Sequence, residues 1–323
     1  MRKIILIIVL AIGVLGVWGG ELQYSDALLA NALSGDGQAQ VELGTCYQWG
    51  YGVAVDAAQA VYWYTQASAN GSAMAELALG NLYYLGKLVP QDYSAARMWY
   101  EKAGNHGDIH AQSILGLMYW GGIGMERDPI YAAHWFRKGA EQGDAISQEH
   151  LGMAYQSGEG VAKDPQEAFK WLMKAAMQDR DVAQVMVADA YRFGDGVAQD
   201  LEHALYWYKQ AAKKENKDAQ FALGNMYYLG EGTQPDPEQA LQYYKAAAIQ
   251  NHPLAQFSLG EMYQQGVGVD VNNRMAYFWF LLADYNGVNY AIYSAREVEA
   301  LLSETDKELV RSTLEDSIPD IWK

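Results

Sequence analysis

Residues 72–107 read SAMAELALGNLYYLGKLVPQDYSAARMWYEKAGNHG, and the main signals of this stretch return 36 positions before and after it. The Leu-Gly pair ending at Gly80 has counterparts ending at Gly44, Gly116, Gly152, Gly224 and Gly260, with Ala188 filling the missing step. Tyr83 stands in a column with Tyr47, Tyr119, Tyr155, Tyr191, Tyr227 and Tyr263. Ala96 recurs as Ala60, Ala132, Ala168, Ala204, Ala240 and Ala276. Trp99 recurs as Trp63, Trp135, Trp171, Trp207, Tyr243 and Trp279. A fixed period between about 20 and 50 residues is the mark of stacked structural repeats.

Local chemistry divides each period into two helices. Helix A opens at Asp36, Ser72, Asp108, Asp144 and Asn216, whose side chains can accept from a free backbone N–H of the first turn. It stops at a loop glycine such as Gly50, which can adopt the left-handed conformation that closes a helix. Helix B opens at Asp56, Asp92, Asp128, Asp164, Asp200, Asp236 or Asn272, three of them followed by a first-turn proline, Pro129, Pro165 and Pro237. Its alanines and tryptophan, as in Ala60, Trp63 and Ala67, form one apolar stripe. Gly71, Gly107, Gly143 and Gly287 end it, replaced elsewhere by Asp179, Glu215 and Asn251. A mid-helix glycine costs about 1 kcal/mol relative to alanine. The Gly44 column therefore implies close helix–helix approach. A single hairpin cannot bury its stripe, whereas stacked neighbours can.

The expected fold is all-α: an α/α superhelical solenoid of seven 36-residue helix-turn-helix repeats over residues 39–290. An N-terminal capping helix over 20–38 and a C-terminal capping helix pair over 291–323 would close its ends. The pattern Ala75-x3-Leu79-Gly80-x2-Tyr83-x2-Gly86, then Asp92-x3-Ala96-x2-Trp99-x3-Ala103-x3-Gly107, resembles the Sel-one-like repeat family, relatives of the tetratricopeptide repeats. Departures are local: Leu88 replaces the second loop glycine and Tyr243 replaces a tryptophan. The resemblance implies an adaptor that holds other proteins or peptides.

Composition narrows the function classes. The chain of 323 residues is 50% hydrophobic, which suits a folded core. It carries 23 basic against 39 acidic residues, a net charge of −16 that repels nucleic-acid backbones and favours a basic protein or peptide partner. The lone Cys46 excludes internal disulfides and thiolate-rich metal centres. Arg2 and Lys3 precede an apolar run from Ile4 to Val17, and residues 1–19 read as a signal peptide. Cleavage is favoured over retention as a short membrane anchor, because about 14 helical residues fall short of a ~30 Å hydrocarbon core. The expected location is exported and periplasmic, with membrane contact only through an uncleaved leader.

No cofactor, metal or catalytic residue is expected. The repeated Gly-x-Gly loops, such as Gly158 and Gly160, follow no strand and read as interhelical turns rather than phosphate cradles. His106 and His110 have metal-pair spacing, but Gly107 and Asp108 put a helix boundary between them. Binding is expected on the side of helix A opposite Ala39, Leu43, Gly44 and Tyr47, where residue types change from repeat to repeat. In tetratricopeptide-like stacks that side lines the concave groove. Trp49, Tyr84, Trp120 and Tyr228 are the candidate exposed anchors, with Asn81, Asp189, Arg192 and Asn225 as polar contacts. The alternative function is an envelope hydrolase acting on peptidoglycan or β-lactams, as proposed for cysteine-rich relatives. Those relatives carry a cysteine pair per repeat, and this chain has one cysteine in all.

Overall fold

The computed structural model describes residues 22–317, so the apolar leader and the last six residues lie outside the described residues. Among the described residues there are 17 helices and no strands, an all-α architecture of the helical-repeat solenoid class. The chain divides into two units, the first ending at Ala175 and the second starting at Ala176.

The first unit opens with α1 (Asp26–Leu33). It continues through hairpins α2 (Gly37–Trp49) with α3 (Ala57–Ala69), α4 (Ala73–Leu85) with α5 (Tyr93–Asn105), and α6 (Ile109–Gly121) with α7 (Pro129–Glu141). Then follow α8 (Ala145–Ser157) and α9 (Pro165–Met177), whose last residues enter the second unit. The second unit holds α10 (Asp181–Phe193) with α11 (Leu201–Ala212), α12 (Lys217–Leu229) with α13 (Pro237–Ile249), and α14 (Pro253–Gln265) with α15 (Asn273–Tyr285). It ends in α16 (Ala291–Glu299) and α17 (Glu304–Ser317).

The caps lie where side-chain chemistry places them. Asp36 Oδ1 accepts from the backbone N–H of Gln38 and Ala39, and Asp92, Asp108 and Asp144 cap their helices in the same manner. Each such bond contributes about 1 kcal/mol. Two A helices differ from the others. Arg180 precedes α10 without a side-chain cap bond, and α14 is capped by a ring nitrogen, His252 Nδ1, accepting from Ala255 N at 3.1 Å.

Inside each hairpin the repeated tyrosine closes the loop through its backbone. The N–H of Asp56 donates to Tyr47 O, and the six equivalent bonds, down to Asn272 N to Tyr263 O, span 2.8–3.0 Å. Gly50 has φ 78°, the left-handed cap expected of it. The second loop glycine has a different duty: a Cβ on Gly160 would stand 2.0 Å from Pro129 O, so this loop lies directly on the start of the preceding B helix. Both glycines of the pair are thus consumed by helix closure and packing.

The Gly44 column permits the hairpin's tightest contact. A Cβ on Gly44 would meet the Tyr64 ring at 2.7 Å, on Gly80 the Tyr100 ring at 2.5 Å, and on Gly224 the Tyr244 ring at 2.5 Å. Those rings are buried, and burying each one contributes about 2–3 kcal/mol, more than a mid-helix glycine costs.

A second device went unread in the sequence although it keeps the same period. Gln40, Gln112, Gln148, Gln184, Gln220 and Gln256 are all buried. Gln40 Nε2 donates back to Ala32 O at 3.1 Å, at the end of the preceding helix, and Gln112, Gln148, Gln184 and Gln256 repeat that bond. Gln40 Oε1 accepts from Asn70, as Gln112 Oε1 does from Gln142 and Gln256 Oε1 from Asn286. One amide thereby ties its own hairpin to the one before, and leaving such buried groups unpaired costs about 1–3 kcal/mol each. Glu76 occupies this position in the second repeat, accepting from Ser68 Oγ at 3.0 Å and meeting His106 Nδ1 at 2.7 Å. His106 is therefore engaged with a buried carboxylate, while His110 is exposed.

Candidate functional site

The variable side of the A helices is built from three columns, one each for Thr45, Gln48 and Trp49. The Thr45 column follows directly on the close-contact glycine, so it sits over the ring of its own B helix. In the first unit Tyr64 OH lies 3.1 Å from Thr45 Oγ1 and donates to Gln48 Oε1 at 2.7 Å. Tyr100 OH donates to Asn81 Oδ1 at 2.9 Å. In the second unit Tyr208 OH donates to Asp189 Oδ1, and Tyr244 OH donates to Asn225 Oδ1 at 2.7 Å. Burial raises the pKa of Tyr64, Tyr100, Tyr208 and Tyr244, which keeps these hydroxyls protonated donors.

This pairing changes the standing of three residues expected to serve a partner. Asn81 is buried with its carbonyl oxygen occupied, and Asp189 and Asn225 are half-buried over a tyrosine hydroxyl. Their first duty is to satisfy a buried phenol within the same hairpin. Burial also raises the Asp189 pKa, against the lowering effects of the Tyr208 bond and of Arg192.

The expected anchors divide as well. Trp49 is 46% exposed and Tyr228 38% exposed, as an anchor needs. Tyr84 corrects the expectation of exposure: it is 4% exposed and packs against Tyr93, with ring centroids 5.2 Å apart. Trp120 is half-buried, with its ring centroid 6.4 Å from that of Phe136 and 5.0 Å from the Arg127 guanidinium. Arg192 is held by Glu231 Oε2 at 2.7 Å; burial works against its charge, and the bond and charge of Glu231 outweigh it, raising its pKa. Phe193 and Leu229, in the Trp49 column of the second unit, are 68% and 59% exposed. They are absent from the expected anchors, although the sequence carries a signal for them: an apolar side chain at the last position of two A helices in the same unit.

The two units present different chemistry on this side. In the first, the Thr45 and Gln48 columns supply Thr45, Asn81, Leu117 and Met153 with Gln48, Tyr84, Trp120 and Gln156, none of them charged. In the second they supply Asp189, Asn225 and Glu261 with Arg192, Tyr228 and Gln264. Elsewhere the reactive groups are sequestered: Cys46 is fully buried, and burial with the nearby Glu42 carboxylate pushes its thiol up to about 11. No group of three His, Cys, Asp or Glu residues that could hold a metal ion occurs among the described residues.

Comparison with known proteins follows the same lines. The Sel1 repeat model matches residues 37–72, 73–108, 109–144, 145–179, 181–216, 217–252 and 253–283. A Sel1 repeat protein from Oxalobacter formigenes is similar at 33% identity and a TM-score of 0.64, covering 84% of this chain and 79% of that one. A protective antigen of uropathogenic Escherichia coli with an SLR fold is 29% identical over 97% of this chain and 85% of that one, with a TM-score of 0.43. Among curated proteins no match is found.

Proposed function

The chain belongs to the Sel1 repeat family, generally protein-interaction scaffolds, and from that premise we propose that it is an exported, non-enzymatic scaffold holding a protein or peptide partner along the variable side of its A helices. The observation that carries this reading is the pattern of exposure. The glycine, alanine, tyrosine and glutamine columns are consumed by packing, while Trp49, Phe193, Tyr228 and Leu229 remain exposed on the side where residue types vary. Exposed apolar side chains on such a surface are the usual anchors of a protein contact. An extended peptide or a partner helix suits it, and the net charge of −16 draws partners of basic character.

Export is supported by the basic Arg2 and Lys3 ahead of the apolar run Ile4 to Val17. Fusing residues 1–40 to a reporter enzyme that is active only outside the cytoplasm tests it, and an inactive fusion refutes export. The binding side is tested by affinity capture from a native envelope extract with the wild type, with Trp49→Ala and with Tyr228→Ala. Proteins retained by the wild type and lost from a variant support the assignment. The same captured set from all three refutes it.

A further inference from the structure

Every repeat poses one local question: what satisfies the side chain directly after the close-contact glycine or its alanine substitute? Thr45, Asn81, Asp189 and Asn225 are answered by the hydroxyls of Tyr64, Tyr100, Tyr208 and Tyr244. Two repeats remove both partners together, carrying Leu117 with Phe136 and Met153 with Leu172. The seventh repeat alone breaks the rule. It keeps an acceptor, Glu261, and carries Phe280, which has no hydroxyl to offer. Among the described residues Glu261 makes no hydrogen bond or ion pair, although it is half-buried. Packing gives no reason for a carboxylate there.

The geometry points to Glu261 as the seat of a lysine or arginine side chain from an extended peptide lying across the A helices of the second unit. This rests on the scaffold reading above and names the partner chemistry of one part of its surface. A carboxylate taken partly out of water without a counter-charge is destabilised, and a cation brought to it restores the lost interaction. Burial holds the Glu261 pKa above the ordinary glutamate value, which reports that same deficit. The surroundings favour a peptide over a free ion. Tyr228 is exposed on the variable side of the same unit, one repeat before Glu261, where its ring can meet a further side chain of a bound peptide. Leu229 and Phe193 are exposed on the same unit and offer apolar contacts to neighbouring side chains of the peptide.

The test is selection of a phage-displayed library of random 12-residue peptides on the immobilised full chain, repeated on Glu261→Gln. Lysine or arginine enriched at one fixed position beside apolar residues on the wild type, with that preference lost on Glu261→Gln while the apolar preference remains, is the expected result. A synthetic selected peptide should bind Glu261→Gln about tenfold more weakly than the wild type. A basic preference undiminished on Glu261→Gln, or apolar peptides without any basic position on the wild type, overturns the assignment of Glu261 and leaves the scaffold reading standing. No enrichment on either protein counts against the scaffold reading itself and removes the premise of this one. Circular dichroism checks that the variant folds. If it does not, Phe280→Tyr replaces it, supplying the hydroxyl that Tyr244 gives Asn225, with the same expected loss of basic preference.

Discussion

Three helix-B ends carry a side chain where the repeat otherwise uses glycine, and replacing Glu215 by glycine should stabilise the protein. Asp179, Glu215 and Asn251 sit at φ 69°, 62° and 58°, in the left-handed region, while Gly71, Gly107 and Gly143 hold the same position at φ 79°, 90° and 96°. An L-residue pays about 1–2 kcal/mol there, less for Asn. A glycine gives back about 0.5–1 kcal/mol through the greater freedom of its unfolded chain. Glu215→Gly should therefore gain about 0.5–1 kcal/mol, and Asn251→Gly close to nothing. Asp179→Gly also forfeits the ion pair to Lys214 Nζ at 2.6 Å, in which the carboxylate is largely exposed, and a 3.3 Å bond from the buried Gln184 Nε2, so its gain should be smaller than that of Glu215→Gly. Urea unfolding followed by circular dichroism reads the order of the midpoints as Glu215→Gly above Asp179→Gly, with Asn251→Gly near the wild type. A Glu215→Gly midpoint at or below the wild type refutes the argument that φ at this position is strained.

Gly224→Ala puts a methyl 2.5 Å from the Tyr244 ring, and overpacking of about 1–3 kcal/mol should exceed the ~1 kcal/mol gain in helix propensity; a higher unfolding midpoint contradicts the close-contact account. Glu261→Gln should stabilise the fold at neutral pH, because a carboxyl whose folded pKa is raised contributes stability below its unfolded value and loses it as the pH rises through the folded one. That gain should vanish when unfolding is measured below the ordinary glutamate range, and a gain independent of pH refutes the cause. The His252 pKa is lowered chiefly by burial, and the ring must be unprotonated at Nδ1 to cap α14. Its contribution is therefore present above the ordinary imidazole value of 6.5 and lost as the pH falls through the depressed folded value, so His252→Asn should gain on the wild type by about 1 kcal/mol between neutral and mildly acid pH. Parallel pH profiles for the two proteins would show that the ring nitrogen is not the cap.

Much of the fold was legible because its determinants are local. Asp36 or Asp92 caps a helix through atoms two or three residues away, and Gly50 turns the chain with its own φ. Exposure on the variable side of the A helices was only partly legible. The 100° step per residue correctly separated Trp49 and Tyr228 from the Ala39, Leu43, Gly44 side. It could not tell that Tyr84 packs on Tyr93, or that Asn81 receives the Tyr100 hydroxyl 19 residues further on. The glutamine column escaped for a related reason, since glutamine is ordinarily a solvated surface residue and nothing near Gln112 in the chain announces that it is buried between Gly104 and Gln142.

The amino-acid order alone thus determined the period, the two helices of each repeat, their ends and the need for stacking, because caps, turns and apolar stripes act over a few residues. Which variable side chains meet solvent, which serve a buried tyrosine, and why Glu261 is left without a partner among the described residues were decided only when hairpins came together. Exposure belongs to a side chain and its neighbours jointly, and those neighbours stand 19, 30 or more residues away.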